Sequence, residues 1–146
     1  MPKEDYLLKH LEKLGRTIAA MMGLREKGFP EDSLRIADKT LKELLRIDFD
    51  DLAIMPIEKF ITTVGNEKYN SSYLDTMAQL THETAKTLTT LGKIEIANSF
   101  YNKSLQLYYL LNEKDKTFSF EREEIISELL QLTQNDEYRP QGNEIN

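Results

Sequence analysis

An all-α architecture of about six to seven helices in a single compact domain is predicted by three observations on the amino-acid sequence. Apolar residues recur at helical pitch along most of the chain, and no run alternates like a half-buried strand for more than a few residues. Glycine and proline punctuate those runs at Gly28, Pro30, Pro56, Gly65 and Gly92. Two stretches also share one pattern, since Gly28 to Leu41 aligns without a gap on Gly92 to Leu105. Each copy has a glycine turn and then a small residue, Ser33 or Ala97. An Asp/Asn-Lys pair follows (Asp38-Lys39, Asn102-Lys103), then a small hydroxyl residue (Thr40, Ser104) and a leucine (Leu41, Leu105).

The first helix is expected from about Lys3 to Leu24, because Leu7, Leu11, Leu14, Ile18 and Met21 form one stripe of helical pitch. Gly15, Ala19 and Gly23 recur every fourth residue as a small-residue seam, which predicts close approach of another helix. Gly28 supplies the left-handed stop. Pro30 suits the first turn of the next helix, and Glu31 and Asp32 complement its dipole. That second helix turns Leu34, Ala37, Leu41, Leu44 and Leu45 inward and ends near Arg46 or Ile47. Asp48 or Asp50 is placed to cap a short turn containing Leu52 and Ile54. Pro56 opens a short helix through Ile57, Phe60, Ile61 and Val64, which Gly65 stops.

A long helix follows from about Ser71 to Leu91, with Tyr73, Met77, Leu80 or Thr81, Thr84, Leu88 and Leu91 on its buried side. After Gly92, the helix from Ile94 to about Asn112 is the most apolar segment, and its pattern predicts the central position. A polar break at Glu113 to Thr117 precedes the last helix, from about Ser119 to Thr133, with Ile125, Ile126, Leu129, Leu130 and Leu132. Residues 1–133 form the predicted helical domain. Residues 134–146 are polar, contain Pro140 and Gly142, and read as a disordered tail.

A chain of 146 residues can bury a real core. Its formal charge of -6 argues against nonspecific binding to nucleic acid or anionic membrane. Cysteine is absent, which excludes disulfides, zinc-thiolate sites and thiol catalysis. The N-terminus opens directly into a charged amphipathic pattern without the apolar stretch of a signal peptide, and no apolar run approaches membrane-spanning length. A soluble cytoplasmic protein is expected.

Residues 78–111 resemble one tetratricopeptide (TPR) repeat, a helix hairpin of about 34 residues. Gly92 falls at its inter-helix turn, Ala85 and Ala97 at small crossing positions, Tyr101 at the large aromatic position, and Ser104-Leu105 at the pair that follows. Residues 14–47 resemble the same repeat through Met21, Gly28, Ser33, Ala37, Thr40 and Leu41. The repeat's usual Trp, Leu-Gly pair and terminal Pro are missing from both copies. The two glycines stand 64 residues apart, so the unit between them must be irregular. The whole chain is also similar to an uncharacterised family of short bacterial TPR-like proteins, through Asp5-Tyr6-Leu7-Leu8 and the amphipathic helix to Leu14. These resemblances imply a right-handed superhelix of helical hairpins and carry no assigned activity.

Chemistry-bearing constellations are sparse. His10 and His82 lack the partners of His-Glu-x-x-His or Glu-x-x-His motifs, and read as surface or interfacial residues. Glu121, Glu123, Glu124 and Glu128 crowd the start of the last helix, where the dipole alone favours acids. Asp48, Asp50 and Asp51 lack the glycine and distal Glu of a calcium loop. Arg35, Lys39, Lys42 and Arg46 line one helix face but alternate with Glu31, Asp32, Asp38 and Glu43, so a solvated face is expected rather than a phosphate track. No metal, cofactor or catalytic set is assigned, and phosphate-loop, dinucleotide and nucleophile-elbow motifs do not occur.

The function expected is non-enzymatic: a TPR-like scaffold that binds a protein or peptide partner, or that self-associates through the Leu7 to Met21 stripe of its first helix. The groove-facing residues implied by the repeat resemblance are Gln79, His82, Lys86 and Thr89. Tyr73, Tyr109 and Tyr69 are candidate partner contacts, because tyrosine joins apolar area to a polar tip. The alternative is a small-ligand protein or enzyme with a pocket between helices, for example around His82 with Glu58 or Glu83.

Overall fold

A computed structural model describes residues 3–64 and 71–134. They form α1 (Lys3–Glu26), α2 (Pro30–Leu45), α3 (Phe49–Ile54), α4 (Ile57–Val64), α5 (Ser71–Thr90), α6 (Ile94–Lys114) and α7 (Phe120–Gln134), with no strand among them. No helix among the described residues is long and apolar enough to cross a membrane. Gly65, Tyr69 and the tail from residue 135 onward lie outside the described residues.

The two glycine turns are built identically. Gly28 donates to the Arg25 carbonyl and Phe29 to that of Leu24, as Gly92 does to Thr89 and Lys93 to Leu88. This is the doubled bond pattern of a Schellman ending, and it needs a left-handed residue. Gly28 and Gly92 supply it with φ of 90° and 79°. An added Cβ would meet nothing within 4 Å at either glycine, so an alanine there is strained by backbone conformation alone. Gly28→Ala and Gly92→Ala should each lower unfolding free energy by about 1 kcal/mol in urea titrations. Gly15→Ala should change stability in the opposite direction by up to about 1 kcal/mol, because Gly15 lies within α1 with open space around it.

Each turn joins a helical hairpin, α1 with α2 and α5 with α6, and the second hairpin has the more extensive contact. Both helices of the first hairpin pack on α5. The α3–α4 segment lies against α6, and α7 packs on α6 as well. The core joins Leu14, Ile18 and Met21 of α1 to Ala37 and Leu41 of α2, to Met77, Leu80, Ala85 and Leu88 of α5, and to Phe100, Leu107 and Leu111 of α6. Phe60 and Leu52 bring the irregular segment into the same core, where Phe49 stacks on Phe100 at 5.1 Å.

Several expectations change. The Gly15/Ala19/Gly23 seam has no close helical neighbour: Gly15 and Ala19 are exposed, and the space beside Gly15 and Gly23 is open. The reason is rotational, because α1 turns its Leu14–Ile18–Met21 side onto α2 and α5. Leu14, Ile18 and Met21 of that stripe are consequently spent inside the chain, while Leu7 and Leu11 are half-buried. The enclosed helix is α5 as much as α6, with Leu80, Thr81, Thr84 and Thr87 all buried. Threonine is tolerated there because hydroxyls can bond within the helix, as Thr81 does to Met77 and Thr84 to Leu80. Asp48 occupies the N-cap of α3 without a side-chain capping bond, and its carboxylate instead meets Lys42 at 3.2 Å. At α7 a side-chain cap does form, with Ser119 Oγ accepting the Arg122 backbone N–H.

Candidate functional site

Residues 79, 82, 86 and 89 follow helical spacing on α5, and the structure separates their roles. Gln79 is exposed and donates to Asp75 at 3.3 Å. Lys86 is half-buried, with its ammonium 3.5 Å from Glu83. Thr89 is exposed and bonds the Ala85 carbonyl and the Tyr101 hydroxyl. His82 is neither a surface nor a groove residue, being only 5% exposed, with its ring edge-on to Tyr101 at 5.9 Å. Its Nε2 is enclosed without a hydrogen-bond partner among the described residues. Tyr73 is buried at 1% exposure, so its ring is core and is closed to a partner. Tyr109 remains 38% exposed on α6, and burial, with the Glu123 charge, raises its phenol pKa. The face open to a partner on α5 is therefore Gln79, Lys86 and Thr89. His82 and Tyr101 form its backing.

Burial holds His82 below its ordinary pKa of 6.5. Lys86 and Arg25 push in the same direction, while Glu128 and Glu83 oppose them. Sign follows from linkage. The unfolded chain takes up a proton near pH 6.5 that the folded chain resists, so stability falls as pH drops below about 6.5. Unfolding midpoints between about pH 7 and pH 5 should show this loss, and His82→Gln should reduce the slope.

Behind this face lies a polar cross-link between hairpins. Arg25 at the end of α1 meets Glu83 Oε1 at 2.6 Å and also donates to the Glu83 carbonyl and to Thr87 Oγ1. Thr87 lies 3.0 Å from Ser33 of α2, and both hydroxyls are buried. Three helices are thereby joined by one carboxylate, one guanidinium and two hydroxyls. Arg25 continues the α1 core stripe one turn beyond Met21, and Ser33 occupies the small position after the glycine turn. The sequence held those two signals. The pairing with Glu83 did not show, because it spans 58 residues.

A second polar centre was missed altogether. Lys103 on α6 is 2% exposed and donates to Ser99 Oγ at 2.8 Å and to the Met55 carbonyl at 3.0 Å. Its ammonium also lies over the Phe60 and Phe100 rings, 5.7 and 5.9 Å from their centroids. Ser99 in turn donates to the Ala53 carbonyl at 2.6 Å. Burial lowers the Lys103 pKa to about 8. The group satisfies carbonyls that end α3, as a cation at a helix C-terminus does.

The outer face of α2 carries the remaining concentration of charge. A cleft of about 650 Å³ is lined by Arg35, Asp38, Lys39 and Lys42 of α2 and by Asp48, Phe49, Asp50 and Asp51 at the start of α3. A neighbouring cleft of about 460 Å³ adds Glu43 and Arg46. Arg35 pairs with Asp32, and Lys42 with Asp48. The stripe is thus balanced by local carboxylates, which opposes a phosphate track. Glu58 is exposed on α4, and among the described residues no group of three or more His, Asp or Glu side chains could hold a metal ion.

The class defined by these elements is an all-helical protein of two hairpins cross-linked by buried polar groups, with a short helical insertion between them and one appended helix. Comparison with protein-family models, curated proteins and solved structures finds no match.

Proposed function

We propose that the chain is a non-enzymatic interaction module with a TPR-like superhelical arrangement, acting in the cytoplasm on a protein or peptide partner. The observation supporting this reading is the use of its interior polar groups. Arg25, Glu83, Thr87 and Ser33 are bonded to one another, and Lys103 is bonded to backbone carbonyls and Ser99, all across helix junctions. Groups committed in this way stabilise one arrangement of the hairpins and are not free for chemistry on a substrate. Gln79, Lys86 and Thr89 then offer a polar strip on α5 that suits an extended acidic or polar segment. A photo-crosslinking side chain placed at Gln79 or Thr89 should trap a discrete partner in the native host. Absence of any adduct at both positions, with normal expression, would count against the reading. Self-association through α1 would have to use its outer side, where Leu8 and Met22 are exposed. Sedimentation giving a monomer throughout the micromolar range would remove that variant.

A further inference from the structure

We propose that the corner between α6 and α7 is a second docking surface, for a basic, apolar-faced segment of a protein partner. The proposal rests on the interaction-module reading and extends it to a different part of the molecule. Phe118 and Phe120 are 65% and 78% exposed, and their rings meet edge-to-face at 4.9 Å. Such a pair offers a preformed aromatic surface of the kind enriched at protein interfaces.

Local capping does not use these rings. Ser119 is the cap of α7, so a hydrophobic staple would pair Phe118 with residue 123. That residue is Glu123, which is exposed and charged. The corner is nonetheless held in place. Arg122 donates to Asn112 at 3.0 Å and to Asp115 at 3.1 Å, and Asp115 accepts the Thr117 backbone N–H. One guanidinium therefore ties the end of α6 to the start of α7, and a partner would find the aromatic pair ordered before it binds.

Charge selects the occupant. Arg122 and Asp115 neutralise one another, leaving Glu113, Glu121, Glu123 and Glu124 exposed against Lys114 and Lys116. Phe120 and Glu123 are three residues apart on one helix face. The aromatic surface is thus rimmed by an excess of carboxylates on a chain that is itself acidic. A lysine- or arginine-bearing amphipathic segment complements both features, and an acidic one is repelled.

The test uses the full chain and a synthetic amphipathic helix with leucine on one face and lysine on the other, read by fluorescence anisotropy. A control peptide carries glutamate in place of lysine. The lysine peptide should bind and the glutamate peptide should not. Phe118→Ala with Phe120→Ala should weaken binding by roughly tenfold or more without lowering the thermal midpoint. Glu123→Gln with Glu124→Gln should weaken it less and flatten its salt dependence. Equal binding of both peptides, or unchanged affinity in the double phenylalanine variant, overturns the proposal. Loss of binding on replacing Gln79 and Thr89 instead moves the site to α5, which leaves the interaction module standing and removes this corner. Self-association that disappears in the phenylalanine variant assigns the corner to a second copy and likewise overturns it.

Discussion

Glu83→Ala is expected to cost about 3 kcal/mol of unfolding free energy, because it leaves the Arg25 guanidinium enclosed at a helix junction without its carboxylate. The two side chains are only 15% and 10% exposed, so water cannot replace the lost partner fully. Glu83→Gln should cost less, since an amide oxygen can still accept from Arg25 while the charge is lost. The damage should be regional. Hydrogen exchange in α1 and α2 should accelerate before that in α6, because Arg25 and Ser33 hold the first hairpin onto α5. A double-mutant cycle with Arg25→Ala should return a coupling of about 1 kcal/mol or more, and additive costs would dismiss the cross-link as an energetic unit. Replacing both residues with Met or Leu should be nearly neutral, as for other buried ion pairs exchanged for apolar groups.

Lys103→Ala should be comparably severe, at about 3 kcal/mol. It opens a cavity among Phe60, Phe100 and the α3 end, and it removes the donor to the Met55 carbonyl. Lys103→Met keeps the aliphatic volume and loses only the ammonium, so it should be the milder change. The pH dependence separates charge from packing. The Lys103 pKa is lowered to about 8 in the folded chain, from 10.5, so above pH 8 the unfolded chain binds more protons there. Stability should therefore rise by about 1–2 kcal/mol between pH 8 and pH 9.5. The rise should end near pH 10, where burial of Tyr108 holds its phenol protonated in the folded chain and reverses the sign. Urea titrations of Lys103→Met across the same window should lose the rise. A parallel rise in that variant would show that another group is responsible.

Much of the architecture was legible because helices and turns are encoded locally. Periodicity and the glycine and proline breaks placed six of the helices, α3 having been expected only as a short turn, and the matched glycines announced two turns that share even their hydrogen bonds. Three buried positions of the shared pattern also agree between copies: Ser33 with Ala97, Ala37 with Tyr101, and Leu41 with Leu105 are all enclosed. The candidate site was less legible. His82 looked available on a helix considered alone, and Tyr73 was a candidate partner contact despite lying on the expected buried side, but α5 is covered on several sides. A helical wheel has no means of showing how many neighbours a helix will have. The small-residue seam of α1 failed for the same reason, since small spacing permits close approach without supplying a helix to make it.

Lys39 and Lys103 mark the boundary between the two kinds of information. They occupy the same place in the shared pattern, after the turn glycines Gly28 and Gly92 and four residues beyond Arg35 or Ser99, and local sequence gives them the same helical setting. Lys39 is solvent-exposed on α2, whereas Lys103 is enclosed by Phe60, Phe100 and the end of α3. By itself the sequence determined the helices, their glycine turns and which stripe of each is apolar, because those depend on neighbours a few residues away. Only the tertiary structure decided which polar residues became interior, since that depends on the α3–α4 segment folding back over α6 and on Arg25 reaching Glu83. Burial is set by what lies across a helix in space, and a lysine within the pattern carries no record of it.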